Sequence, residues 1–128
     1  MNLTKAAETS KTQEELLNDL IIDAIQDIKG KNITKFDLRH LHDRPTNYFI
    51  ICEGESSTQV NSIIERVKKR VRDEMNIMPH TIEGKENAKW VLADYFTTVV
   101  HVFYKETREY YDLDDLWSDA KITRYEDL

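Results

Sequence analysis

Apolar residues recur at helical spacing in the first third of the chain. Thr12 and Glu15 form a capping-box pattern, in which each side chain satisfies a backbone N–H group of the other residue. Leucine, isoleucine and alanine then recur every three or four residues from Leu16 to Ile28, and Gly30 follows as a helix stop. This stretch predicts an amphipathic helix.

A second stretch with helical spacing begins after Ser56. Gln59 lies three residues further on, as in another capping box, and an apolar stripe runs from Val60 to Met75. The opposite face is basic and carries Arg66, Lys68, Lys69, Arg70 and Arg72. We expect a solvated helix face here, and a minor contact with RNA remains open.

Five short segments rich in β-branched and aromatic residues predict β-strands, at residues 33–38, 46–52, 80–82, 90–93 and 98–104. The last three lie too close together for crossover helices, so we expect them to be neighbouring strands. The helix between the second and third segments is long enough for a parallel crossover. The pattern predicts a single α/β domain with a mixed five-stranded sheet flanked by helices.

The two ends of the chain lack this apolar patterning. Residues 1–11 are small and polar and predict a flexible amino-terminal tail. The domain extends over residues 12–120 and closes with a short acidic helix, in which Leu113, Leu116 and Trp117 share a face. Residues 121–128 are predicted as a carboxyl-terminal tail.

Composition narrows the class of partner and the compartment. The chain has 128 residues, with 24 acids against 18 bases and a net charge of −6, so its overall field repels phosphate and favours a protein partner. Its single cysteine, Cys52, lies in an apolar run, which suits a core thiol in a reducing cytoplasm. We expect neither export nor membrane insertion, since the sequence contains no signal peptide or long apolar span.

Candidate catalytic and metal-binding residues are few. The nitrogen and sulfur ligands lack the paired spacing of a zinc site; they are His40, His42, Cys52, His80 and His101. The turn at residues 54–57 offers N–H groups to an anion but lacks the lysine of a phosphate-binding loop. We therefore expect no enzyme, metal or cofactor, and a nucleotide-binding protein or nucleotidyltransferase remains the alternative.

One strand combines large aromatic side chains with an acid. Period two places Trp90, Leu92 and Asp94 on one face, and the carboxylate indicates that part of this face is wet. An aromatic anchor with a polar rim is typical of a protein interface, although a core position fits the pattern equally well. The candidate partner-binding residues are Glu83, Gly84, Lys89, Trp90, Leu92, Asp94 and Tyr95.

The order of short motifs between residues 15 and 120 resembles the ribosomal silencing factor family (RsfS, Iojap-like). Each motif is short, and the specificity comes from the ordered set with its spacings. The motifs are Asp37-Leu38-Arg39, Tyr48-Phe49-Ile50-Ile51, Gly54-x-Ser56, Gln59-Val60, Glu83-Gly84, Trp90-x-Leu92-x-Asp94-Tyr95, Val99-Val100-His101-Val102-Phe103, Arg108-x-Tyr110-Tyr111 and Leu116-Trp117-x-Asp119-Ala120.

This resemblance implies a fold akin to nucleotidyltransferases without their catalytic residues. It also implies a factor that binds ribosomal protein L-fourteen of the large ribosomal subunit, blocks joining of the small subunit and represses translation. No cofactor is implied, and a homodimer through an apolar surface remains open. The chain departs from the family at Phe96-Thr97-Thr98, where Gly-Asp-Val is common, so Phe96 replaces a residue that takes positive φ easily.

Overall fold

The structure, a computed structural model, describes residues 11–128. Apart from residue 11, the predicted amino-terminal tail lies outside the described residues. The helices are α1 (Gln13–Asp27), α2 (Ser57–Met75), α3 (Lys105–Tyr111) and α4 (Leu113–Leu116). The strands are β1 (Lys31–Asp37), β2 (Tyr48–Gly54), β3 (Thr81–Glu83), β4 (Trp90–Asp94), β5 (Thr98–Tyr104) and β6 (Lys121–Arg124).

The strands form one mixed sheet in the order β3-β4-β5-β2-β1-β6. All neighbours are antiparallel except β2 and β5, which pair in parallel, and β3 to β5 are consecutive neighbours as predicted. The expected α/β class and mixed sheet are confirmed.

The prediction of five strands is wrong, because residues 121–124 form a sixth strand within the segment expected to be a tail. β6 pairs antiparallel with β1, with Thr34 opposite Arg124 and Asp37 opposite Lys121. All four of its residues are exposed. An edge strand without a buried face shows no apolar alternation, which is why the sequence pattern did not reveal it.

Helices α1 and α2 cover one face of the sheet and enclose the main core. The central residues of their apolar stripes are fully buried against inward-facing residues of β2, β4 and β5, such as Ile50, Val91 and Val100. Cys52 belongs to this core, and burial raises the pKa of its thiol to about 12, so it is an inert packing residue.

The predicted helix starts are confirmed with one difference. Thr12 and Glu15 form the full capping box of α1. Ser56 caps α2 by accepting a hydrogen bond from the Gln59 N–H at 3.0 Å, but the Gln59 side chain accepts from the N–H of Glu55 at 2.7 Å. The backbone N–H groups of Glu55 and Gln59 at this turn are therefore occupied within the chain.

As predicted, the basic face of α2 is solvated. Ion pairs join several of its side chains to neighbouring acids. Arg70 reaches Asp23 at 2.7 Å and Asp27 at 3.0 Å on α1, and it also pairs with Glu74. Lys69 pairs with Asp73, one turn away. These contacts tie α1 to α2 and neutralise much of the charge on this face.

The other face of the sheet is only partly covered. A smaller core of Phe36, Phe49 and Phe103 lies here, beneath the chain segment that contains α3 and α4. Trp117 packs edge-on against Phe49 at a ring-centroid distance of 5.6 Å, as expected of a packing residue. Leu116, which was predicted to share a face with Leu113 and Trp117, is instead 69% exposed.

Candidate protein interface

The uncovered part of this second face lies on β4. Trp90, Leu92 and Asp94 are half-buried, whereas Val91 and Ala93 between them are fully buried. The predicted alternation is thus present, with its apolar side against the helices. Glu83 lies opposite Leu92 in the β3–β4 register and therefore shares the same face. We call the four residues Glu83, Trp90, Leu92 and Asp94 the β4 face.

Trp90 is held in one orientation by contacts on several sides. Its indole N–H donates to Nδ1 of His101 at 3.1 Å. Its ring stacks on Phe103 at a centroid distance of 5.1 Å and contacts Tyr111 at 4.8 Å. The polar atom of the indole is turned into the protein, so the exposed part of Trp90 is apolar.

His101 fulfils the prediction of a buried, hydrogen-bonded histidine. It is 5% exposed, and burial lowers its pKa to about 4, so the ring is neutral at physiological pH. Because Nδ1 accepts the bond from Trp90, the neutral ring carries its proton on Nε2. A charged His101 would lose this acceptor and with it the hydrogen bond to Trp90.

Gly84 shapes the connection between β3 and β4. Its φ is +92°, and a Cβ atom at this position would lie 2.1 Å from the carbonyl oxygen of Trp90. Only glycine fits this close approach. The predicted residue Lys89 is exposed just before β4, and its carbonyl accepts a hydrogen bond from the N–H of Tyr104 at 2.8 Å. Gly84 therefore fixes the backbone conformation of the β3–β4 connection, while Lys89 borders the β4 face.

The far end of β4 turns sharply at Phe96. The Phe96 N–H donates to Asp94 Oδ1 at 2.8 Å, and its carbonyl accepts from the hydroxyl of Thr46 at 2.7 Å. These bonds hold Phe96 at φ +70°, a conformation that bulky residues rarely adopt. The residue that departs from the family pattern therefore occupies a backbone position that suits glycine, with 68% of its surface exposed.

Tyr95, predicted as a partner-binding residue, does not lie on the β4 face. It is 4% exposed, belongs to the main core beneath the helices, and burial raises its pKa to about 12. As the next odd-numbered residue after Val91 and Ala93, it continues the opposite face of the strand. A residue in this position stabilises the fold and presents no surface to a partner.

Some residues near this face were missed by sequence reasoning. Val99 lies opposite Asp94 on β5 and is half-buried, so it extends the β4 face toward the middle of the sheet. Tyr110 and Tyr111 on α3 lie near Trp90 and are 83% and 50% exposed. The motif Arg108-x-Tyr110-Tyr111 drew attention to these tyrosines, but their proximity to Trp90 depends on tertiary packing.

The carboxyl ends of the parallel strands β2 and β5, where α/β sheets often bind ligands, are occupied by an ion-pair network. Arg108 is 8% exposed and donates to Glu53 at 3.2 Å, to both carboxylate oxygens of Asp114, and to the carbonyl of Asn32 at 2.6 Å. A cavity of about 490 Å³ adjoins the network. The bonds to Glu53 and Asp114 neutralise the charge of Arg108, and the network holds α3 on the sheet.

Within residues 11–128, no group of three or more histidine, cysteine or acidic side chains is placed to hold a metal ion. His40 contacts the carbonyl of Asp119 through Nε2 at 3.1 Å, while the side chain of His42 is 98% exposed. In the same part of the chain, each helix is too short or too polar to cross a membrane.

Comparison with known proteins agrees with this architecture. The family described as "Ribosomal silencing factor during starvation" (RsfS) matches residues 9–128. The Ribosomal silencing factor RsfS of Halalkalibacterium halodurans is 37% identical over 90% of this chain and 96% of its own length. A crystal structure of a protein from Chromobacterium violaceum superposes with a TM-score of 0.78 at 33% identity, covering 84% of this chain and 88% of the other.

A more distant relative is the mouse protein named "Mitochondrial assembly of ribosomal large subunit protein 1". It is 32% identical over 59% of this chain, which corresponds to 34% of that longer protein. The family match covers the whole described structure, including β6 and the β4 face. The chain therefore belongs to the ribosomal silencing factor family.

Proposed function

We propose that this chain binds the large ribosomal subunit through ribosomal protein L-fourteen, blocks joining of the small subunit and so represses translation in the cytoplasm. In this proposal the chain acts by occupying a surface and catalyses no reaction. The family membership and the large-subunit name of the mouse relative support this assignment. The observation that carries it is the β4 face, an apolar surface with an acidic rim that the helices leave uncovered.

The β4 face has the anatomy of a protein-binding surface. Trp90 and Leu92 provide a fixed apolar centre, and the carboxylates of Glu83 and Asp94 lie on the same side of the sheet. Aromatic anchors surrounded by polar residues are the usual source of binding energy at protein interfaces. An acidic rim also suits a basic protein such as those of the ribosome.

Cosedimentation with separated ribosomal subunits tests the proposed partner. The protein should pellet with large subunits and remain in the supernatant with small subunits. Pelleting with small subunits alone would contradict the assignment. Leu92→Glu, which places a charge in the apolar centre, should weaken binding, whereas Leu116→Glu, at an exposed site on α4, should not.

The salt dependence of binding separates a protein contact from a ribosomal RNA contact. A contact with protein should weaken only modestly between about 50 and 200 mM salt, whereas 6–10 phosphate contacts would lose roughly 10³-fold or more. The net charge of −6 favours the first result. A steep loss would assign the main contact to RNA and would contradict binding chiefly through a protein.

A further inference from the structure

A groove with a volume of about 530 Å³ lies between the β3–β4 connection and α3. Gly84 and Asn87 line it from the connection, Trp90 lines it from the start of β4, and Tyr110 and Tyr111 line it from α3. Trp90 belongs both to this groove and to the β4 face. A partner bound on the β4 face would therefore also contact the groove.

Two of the aromatic side chains that line the groove are exposed. Tyr110 is 83% exposed and Tyr111 is 50% exposed, and the two rings meet edge-to-face at 5.1 Å. Tyr111 also contacts Trp90 at 4.8 Å. The exposed faces of adjacent aromatic rings can stack on a ligand.

The helix that carries these tyrosines is fixed to the sheet. Arg108 lies two residues before Tyr110, is 8% exposed and bonds to Glu53 on β2 as well as to Asp114. This buried ion-pair network anchors the middle of α3. The tyrosines are thus presented on a rigid support, which reduces the entropy lost when a ligand binds.

The segment beside the groove is acidic and favours a cationic ligand. Lys89 and Glu106 line the groove, but the exposed charged residues from 105 to 119 comprise five acids and one lysine. The five acids are Glu106, Glu109, Asp112, Asp115 and Asp119. A nucleic acid would be repelled by this surface, whereas a basic protein segment would be attracted.

We propose that this groove accepts an arginine side chain carried by an extended, basic segment of the partner protein. The proposal rests on the proposed function, in that the same partner covers the neighbouring β4 face. A guanidinium is planar, stacks on aromatic rings and donates hydrogen bonds to carboxylates at the same time. The tyrosine rings and Glu106 offer both kinds of contact within one site.

Variants of Tyr110 test the site in large-subunit cosedimentation. Tyr110→Ala should bind about fivefold to tenfold more weakly, since it removes an exposed cation–π partner. Tyr110→Phe keeps the ring and should bind normally. Leu116→Ala is a matched control, because Leu116 is exposed on the same acidic segment but does not line the groove. Normal binding by Tyr110→Ala would overturn the proposal.

A charge reversal distinguishes a protein segment from RNA or from a second copy of this chain. Glu106→Lys combined with Glu109→Lys should weaken binding to large subunits if the groove holds an arginine. Stronger binding would assign the groove to RNA. If the wild-type protein is a dimer by analytical ultracentrifugation and Tyr110→Ala is a monomer, the groove is a self-association surface. Either of these results overturns the proposal.

A small-molecule titration tests arginine binding in the groove independently of the ribosome. N-acetylarginine amide at millimolar concentration should shift the NMR signals of the Trp90 indole and the tyrosine rings, while the uncharged N-acetylcitrulline amide should not. Equal responses to the two compounds, or none, would overturn the proposal. If the protein responds to the arginine compound but fails to pellet with large subunits, the arginine-binding groove is supported and the proposed function is contradicted.

Discussion

The substitution Trp90→Ala removes the centre of the β4 face. Trp90 stacks on Phe103, contacts Tyr111 and donates a hydrogen bond to His101, while its remaining surface is exposed. The substitution therefore has two separate consequences. The fold loses part of its packing, and the partner loses its proposed anchor.

The two losses have different expected sizes. Truncating a fully buried large aromatic residue costs about 3–5 kcal/mol, so a half-buried one should cost about 2 kcal/mol of unfolding free energy. For a domain of this size the melting temperature should fall by roughly 6–10 °C. Losing an interface anchor costs about 2 kcal/mol or more of binding free energy, which is about a 30-fold weaker complex.

Trp117→Ala is a matched control in thermal melts and large-subunit cosedimentation. Trp117 is also half-buried and also packs against an aromatic residue of the same sheet face, namely Phe49. The Cα atoms of Phe49 and Trp90 are separated by two strands and four residues along the register, or roughly 16 Å, and the His101 ring lies between the two side chains. Trp117→Ala should therefore show a similar loss of stability while its affinity changes less than about threefold.

The comparison of the two variants decides whether Trp90 is an anchor. Equal weakening of both complexes would show that binding only follows stability. Normal binding by a folded Trp90→Ala protein would refute the assignment and leave Trp90 as a packing residue. A Trp90→Ala protein that is unfolded at room temperature would likewise show that Trp90 is chiefly a core residue.

Three further predictions concern the backbone and the buried histidine near this face. Gly84→Ala should destabilise the fold by about 2 kcal/mol or more in urea unfolding, because its Cβ would collide with the Trp90 carbonyl; wild-type stability would contradict the described turn. Phe96→Gly should raise the melting temperature by a few degrees, equivalent to about 1 kcal/mol, because it relieves the positive φ; a lower melting temperature would contradict the presence of strain. The folded-state pKa of His101 is about 4, below its ordinary value of about 6.5, so the unfolded chain binds more protons between these values. Stability should thus fall as the pH is lowered through this window, by up to about 1.4 kcal/mol per pH unit, and His101→Gln should lack this contribution in urea unfolding at several pH values; an unchanged slope would contradict it.

The long, strongly patterned elements could be predicted from the sequence. The apolar stripes of α1 and α2 specify both helices because each stripe is buried against the sheet, and Thr12 and Ser56 mark their starts. The alternation in β4 also placed Trp90, Leu92 and Asp94 on one face. Applied one residue further, the same rule assigns Tyr95 to the opposite face, so the sequence contained the signal for its burial.

Elements whose stability comes from distant contacts could not be predicted. The sequence of α3 has no apolar stripe, and its anchor is Arg108, which pairs with Glu53 on a strand 55 residues away. β6 consists of four exposed residues and is specified only by its pairing with β1. The groove beside Trp90 depends on the position of α3, so local patterning gave no indication that Tyr110 lies there.

The central claim is that the bound protein keeps the two ribosomal subunits apart. Purified large and small subunits can be mixed under joining conditions, with increasing amounts of this protein, and followed by light scattering and by sucrose-gradient sedimentation. We expect the subunits to remain separate, with the protein in the large-subunit fraction, and we expect the Trp90→Ala variant to allow joining. Complete joining while the wild-type protein remains bound to the large subunit would contradict the account.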